Sequence, residues 1–163
     1  MFQLSPRVKR MIDSVVPLVV LLPNMASNGS TVLALRLRGC ALAFHELTDH
    51  VPPRVWMAIG QTDWQPRIQT QAMRFARFPA TQLALGVCSH VIDGVKVPVF
   101  GIAKTIADLF RYRRITGVNL AVEGLREALR QRKAKPAEIA KAAVAAGVWK
   151  VMEPYMVALT SNG

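Results

Sequence analysis

The sequence predicts an α+β fold: a small mixed or antiparallel sheet with a β-hairpin at residues 87–100, followed by a C-terminal set of about four helices. Three observations predict it. Strand-like runs fill the first part of the chain and helical periods the rest, an order that suits α+β domains. Asp93-Gly94 stands between two β-branched runs, and a two-residue type I′ connection needs residues that accept positive φ. Directly after Phe100 the apolar period changes from two to about 3.6, with Ile102, Ile106, Leu109 and Phe110 on one face.

The 163 residues suit one domain, or one with a short appendage, and suffice to bury a core. Hydrophobic residues make up 52% and charged residues 19%, which excludes general disorder. The formal net charge is +11, from 21 Lys and Arg against 10 Asp and Glu. Such a surplus points to nucleic acid, an acidic protein partner or an anionic surface. Cys40 and Cys88 are far apart in apolar surroundings, so the expectation is two buried, reduced thiols in a cytoplasmic protein.

In chain order, Arg7, Lys9 and Arg10 precede an apolar run at residues 15–22, which imitates a signal peptide. Asp13 and Pro17 interrupt it, and it falls short of the roughly 20 residues that cross a bilayer. No membrane association is expected. Periodicity leaves strand and short buried helix both open for that run, and residues 24–31 are a loop by composition. Cys40, Leu42, Ala43, Phe44 and Leu47 suit a short amphipathic helix, ended by Thr48-Asp49 and Pro52-Pro53. Residues 55–59 read as a strand buried on both sides, and residues 73–78 as a strand with two arginines outward. Pro98 has no N–H for a ladder, which places the far end of the second hairpin strand on an edge or at a bulge.

Behind the hairpin helix, Asn119 is the expected N-cap of a helix running to Arg132. Its expected inner stripe is Val118, Val122, Leu125 and Leu129, with Glu123–Arg126 and Glu127–Arg130 as outer pairs. Pro136 fits the first position of a third helix that Gly147 ends. A fourth, residues 148–159, is expected to kink or restart at Pro154.

No motif for catalysis emerges. His45-Glu46 is the one adjacent acid–base pair, without a second positioned group; a histidine bonded at a helix end is the plainer reading. His50 and His90 are isolated, no His, Cys, Asp and Glu set has metal-ligand spacing, and no Gly-rich phosphate loop is present. A metal-dependent nuclease would have only Asp93 and Lys96 and would lack a further carboxylate for Mg²⁺. No catalytic residue, cofactor or metal is therefore expected. Residues 104–133 hold eight cations against three acids. Arg111, Arg113, Arg114, Arg130, Arg132 and Lys133 are the candidates for binding nucleic acid or a partner. The competing reading has the same residues closing helices, where cations complement the macrodipole.

Several stretches resemble one family in the same order from about Leu42 to Leu159. They are Leu42-Ala43-Phe44-His45-Glu46-Leu47-Thr48, Pro53-Arg54-Val55-Trp56-Met57-Ala58-Ile59 and Asp93-Gly94-Val95-Lys96-Val97. Ala103-Lys104-Thr105-Ile106-Ala107-Asp108-Leu109-Phe110-Arg111-Tyr112-Arg113, Ala121-Val122-Glu123-Gly124-Leu125-Arg126 and Val151-Met152-Glu153-Pro154-Tyr155-Met156 follow. Together they resemble the C-terminal domain of AbiEi-family antitoxins of type IV toxin–antitoxin systems. The resemblance implies a non-enzymatic domain at residues 39–163 that counteracts a nucleotidyltransferase-like toxin, in a family that also represses its own operon through an N-terminal winged helix. The chain departs from the family twice. Residues 1–38 show no recognition helix and are fewer than the roughly 50 of a small domain, as in a truncated member or gene fragment. Gly101-Ile102 stands where the family usually has Ser-Pro, which removes an N-cap oxygen worth about 1 kcal/mol. A stand-alone basic nucleic-acid-binding module is the alternative.

Overall fold

The computed structural model describes residues 40–48, 55–62, 73–79, 85–92 and 94–161, together with residues 6, 34–35 and 81. The expectations for residues 15–31, for His50 and for Asp93 lie outside the described residues. The chain forms two compact units, one of residues 1–36 with 51–100, the other of residues 37–50 with 101–163. The architecture is α+β, a sheet in the first unit and helices in the second. Among the described residues, no helix is long and apolar enough to cross a membrane.

The sheet has five strands: β1 (Ala34–Leu35), β2 (Val55–Gly60), β3 (Met73–Phe78), β4 (Val87–Ile92) and β5 (Val95–Phe100). Their order is β3-β2-β1-β5-β4. β1 lies antiparallel to β2 and parallel to β5, and β2 lies parallel to β3, so the sheet is mixed. β4 and β5 are the hairpin. Ile92 pairs with Val95 and Val87 with Phe100, leaving a two-residue connection in which Gly94 takes φ +80, as a type I′ turn requires. Pro98 is not on an edge, because β5 lies between β4 and β1. Counting from the hydrogen-bonded pair that closes the turn, Ser89↔Pro98 is a non-hydrogen-bonded pair. The absent N–H therefore faces β1, which among the described residues pairs with β5 at Leu35↔Val99. Ile59, Phe78, Val99 and Phe100 are buried. Arg77 is exposed and bonds back to the Gly60 and Gln61 carbonyls at 3.2 and 2.8 Å. Cys88 is exposed, contrary to the expectation of a buried thiol, since it stands on the terminal strand of the described sheet.

The helical unit contains α1 (Cys40–Phe44), α2 (Ile102–Arg111), α3 (Arg113–Thr116), α4 (Val118–Arg130), α5 (Pro136–Ala145) and α6 (Trp149–Thr160). α1 is not amphipathic: Ala41, Leu42, Ala43, Phe44 and Leu47 are all buried. α2 packs against α5 and α4, and α6 against both of those. The core draws Ile106, Leu109 and Phe110 from α2, Leu125 from α4, Ile139 from α5 and Met152 from α6. Pro136 opens α5 as expected, because its missing N–H falls where no intrahelical bond is made.

Two expectations about α4 are corrected. α4 begins at Val118 with Gly117 (φ +84) as its N-cap, so Asn119 lies inside the helix. Its buried stripe is Ala121, Gly124, Leu125 and Ala128, while Val118 is 36% exposed. Small residues face inward because Gly124 approaches α1 so closely that a Cβ there would lie 2.8 Å from Leu42 Cδ2. Of the two alternatives expected at Pro154, a kink or a restart, the restart does not occur: α6 runs from Trp149 to Thr160 through it. Pro154 is exposed, so water can satisfy the Lys150 carbonyl that loses its donor.

Candidate binding face

Helix ends decide where the cations go. α1, α4 and α5 all close with the same pair of backbone bonds. Leu47 N–H reaches the Leu42 carbonyl and Glu46 N–H that of Ala43; Lys133 and Arg132 reach Ala128 and Leu129; Val148 and Gly147 reach Ala143 and Val144. This is the Schellman arrangement, whose penultimate residue takes a left-handed conformation. Gly147 supplies it at φ +69, but Glu46 does so at φ +56 and Arg132 at φ +53, in a region unfavourable to side-chain-bearing residues.

The six candidate cations divide by what they touch. Arg113 Nη1 donates to the Phe110 carbonyl at 2.9 Å and Arg111 Nη1 to the Ala146 carbonyl at 3.4 Å. Lys133 Nζ donates to the His45 carbonyl at 2.7 Å and lies 3.8 Å from Glu46 Oε2. Helix-end carbonyls thus receive three of them, in the geometry that complements the macrodipole. Arg130 grips both oxygens of the Glu127 carboxylate, with Nε to Oε2 at 2.9 Å. These bonds and a further one from Gln131 hold the Glu127 carboxyl down at about 2. Arg114 and Arg132 are exposed and make no hydrogen bond or ion pair among the described residues. All six lie outside the core: Arg113 is half-buried and the other five are exposed.

The helical unit brings the two sets to different places. Gln131 Nε2 donates to the Glu46 carbonyl at 3.1 Å, so the Arg130–Lys133 segment sits against the end of α1. The Arg111–Arg114 segment lies where α2 meets the end of α5. Beside the first, Glu46, Leu47 and Thr48 with Glu123, Glu127, Arg130 and Gln131 line an open recess of about 440 Å³. Glu123 accepts from Thr48 Oγ1 at 2.9 Å, and no ion pair to Arg126 forms as the sequence suggested. Arg126, Lys141 and Lys150 are further exposed cations whose side chains make no hydrogen bond or ion pair among the described residues; their outward positions on helices were the available signal.

Lys104, counted in the basic run, does not contribute to a surface. Its Nζ lies 3.0 Å from Asp108 Oδ1, and the two side chains are 14% and 3% exposed. His45 is buried edge-on against Phe44 in the helical unit, and His90 lies in the sheet unit, where burial pushes its pKa down. Among the described residues no group of three or more His, Cys, Asp or Glu could hold a metal ion. Asp93 and the side chain of Lys96, the nuclease candidates, lie outside the described residues. No family model matches the chain, and no curated protein matches it either.

Proposed function

We propose that the chain is the non-enzymatic antitoxin component of a type IV toxin–antitoxin system, acting in the cytoplasm against a nucleotidyltransferase-like toxin. The observation that carries this reading is the motif series from Leu42 to Leu159, whose densest block falls on α2 and the turn into α3. A basic exterior supports it, because guanidinium groups without counter-ions favour contact with an anionic macromolecule. On this reading Lys104–Asp108 maintains α2, while Arg111, Arg114 and Arg132 are the residues of the candidate set that the fold uses least.

The test is co-expression with a nucleotidyltransferase-like toxin of such a system, taken from the neighbourhood of this gene where one is encoded there. Wild type is expected to restore growth, and the triple charge reversal R111E/R114E/R132E to abolish protection without lowering the melting temperature. Full protection by the triple variant would refute this use of the cationic exterior. The second reading, a basic nucleic-acid-binding module, is favoured by the same uncompensated arginines. It requires affinity that falls steeply with salt and ignores sequence.

A further inference from the structure

The outer edge of the sheet unit is bare. β4 has β5 as its one neighbour, so one side of its backbone meets no strand of the described sheet. Ser89↔Pro98 is a non-hydrogen-bonded pair, and the same parity applies to Val87 and Val91. The N–H and C=O groups of Val87, Ser89 and Val91 therefore point away from β5. Among the described residues no hydrogen bond within the chain reaches them. Cys88, Ser89 and Val91 are exposed, Val91 at 67%, and so is Leu85 just before the strand. Edge strands are ordinarily shortened, bulged, or guarded by a charge or a proline. β4 is six residues long, pairs with β5 without a bulge, and carries no Lys, Arg, Asp, Glu or Pro.

We propose that β4 is a self-association edge, to which the β4 of a second copy of this chain adds antiparallel about a two-fold axis at Ser89. The inference is independent of the antitoxin reading. Sequence and backbone agree on this register. Val87-Cys88-Ser89-His90-Val91 reads nearly the same in both directions about Ser89. A two-fold there sets Ser89 against Ser89 of the copy and Val87 against Val91 of the copy, an isologous contact. Those are the residues whose backbone groups face outward, and no other position of the axis pairs all three among themselves. Each such pair exchanges both of its bonds, about six in all. The side chains suit the pairing, with valine opposite valine and hydroxyl opposite hydroxyl. Charge decides between occupants. An acidic or phosphorylated segment would meet no cation along β4. In a chain of net +11, two copies approach with least repulsion along a strand that has no charge.

The experiment is sedimentation velocity on the full chain over a wide concentration range, with S89P and V91K beside wild type. Wild type is expected to pass from monomer to dimer as concentration rises. S89P removes an outward N–H that β5 does not use, a substitution that edge strands tolerate, and V91K guards the edge with a charge. Each is expected to weaken association at least about tenfold while circular dichroism stays that of the folded chain. Two cysteine variants at exposed positions read the register under mild oxidation. In C88S/S89C the new thiols face each other across the axis, with Cα atoms about 5.5 Å apart, within the span of a disulfide. In C88S/V91C they lie about 14 Å apart. The first is expected to form a covalent dimer at least about tenfold faster than the second. Wild type that stays monomeric at every concentration overturns the inference. So does a dimer that S89P and V91K leave intact, or equal cross-linking of the two cysteine variants.

Discussion

Arg132 occupies a position that the backbone would fill better with glycine. At φ +53 it carries the left-handed residue of the α4 cap, and its side chain makes no hydrogen bond or ion pair among the described residues. The left-handed conformation costs a side-chain-bearing residue roughly 1–2 kcal/mol. Glycine gives back about 0.4–1 kcal/mol through a freer unfolded chain. R132G is therefore expected to raise the unfolding free energy by about 0.5–1 kcal/mol, while R132A stays near wild type because alanine meets the same obstacle. Urea unfolding of the two variants measures the difference. A destabilised R132G would mean that the arginine supports the fold through contacts of its own. A more stable R132G with weakened protection would mark a residue kept for binding at the expense of stability.

At the scale of elements, the seam between α1 and α4 is set by one missing side chain. A Cβ at Gly124 would lie 2.8 and 3.1 Å from the two methyl carbons of Leu42, which is fully buried and has little room to give. G124V is expected to cost about 1–3 kcal/mol by overpacking, and L42A alone about 2–5 kcal/mol by cavity formation. The valine would partly refill that cavity, so the double variant should cost clearly less than the sum of the two. Strict additivity would place the contact elsewhere. This seam also shows what the sequence concealed. Asp93-Gly94, Pro136 and Gly147 announce their elements through local chemistry, and the hairpin, the start of α5 and its end follow at the expected places. The α4 stripe was legible in part: Leu125 is buried and Val122 and Leu129 pack against the core, but Ala121, Gly124 and Ala128 carry little hydrophobic signal and Val118 stands exposed. Glu46 and Arg132 hide two Schellman caps in residues that ordinarily give no such sign. Which cations are engaged was half legible. Arg113 bonds within its own turn, but Lys133 reaches the His45 carbonyl across 88 positions, and no pattern in sequence reveals that.

For the whole molecule, charge is the dominant global quantity. A net +11 spread over 163 residues repels itself in the compact state, while the ion pairs of the helical unit act in the opposite direction. Their weights differ. Arg130–Glu127 and Lys133–Glu46 are exposed to solvent, which screens them and leaves them little weight. Lys104–Asp108 is shielded from mobile ions by burial. Added salt should therefore screen the repulsion more than it weakens attraction. Raising NaCl so that the Debye length falls from about 30 Å to about 8 Å is expected to raise the melting temperature by about 2–4 °C, the shift that corresponds to roughly 1 kcal/mol in a chain of this size. A melting temperature that falls over the same range would mean that surface pairing, rather than surplus positive charge, governs stability. The guanidiniums assigned to a partner would then already be compensated within the fold, and an anionic macromolecule would find no surplus charge to meet.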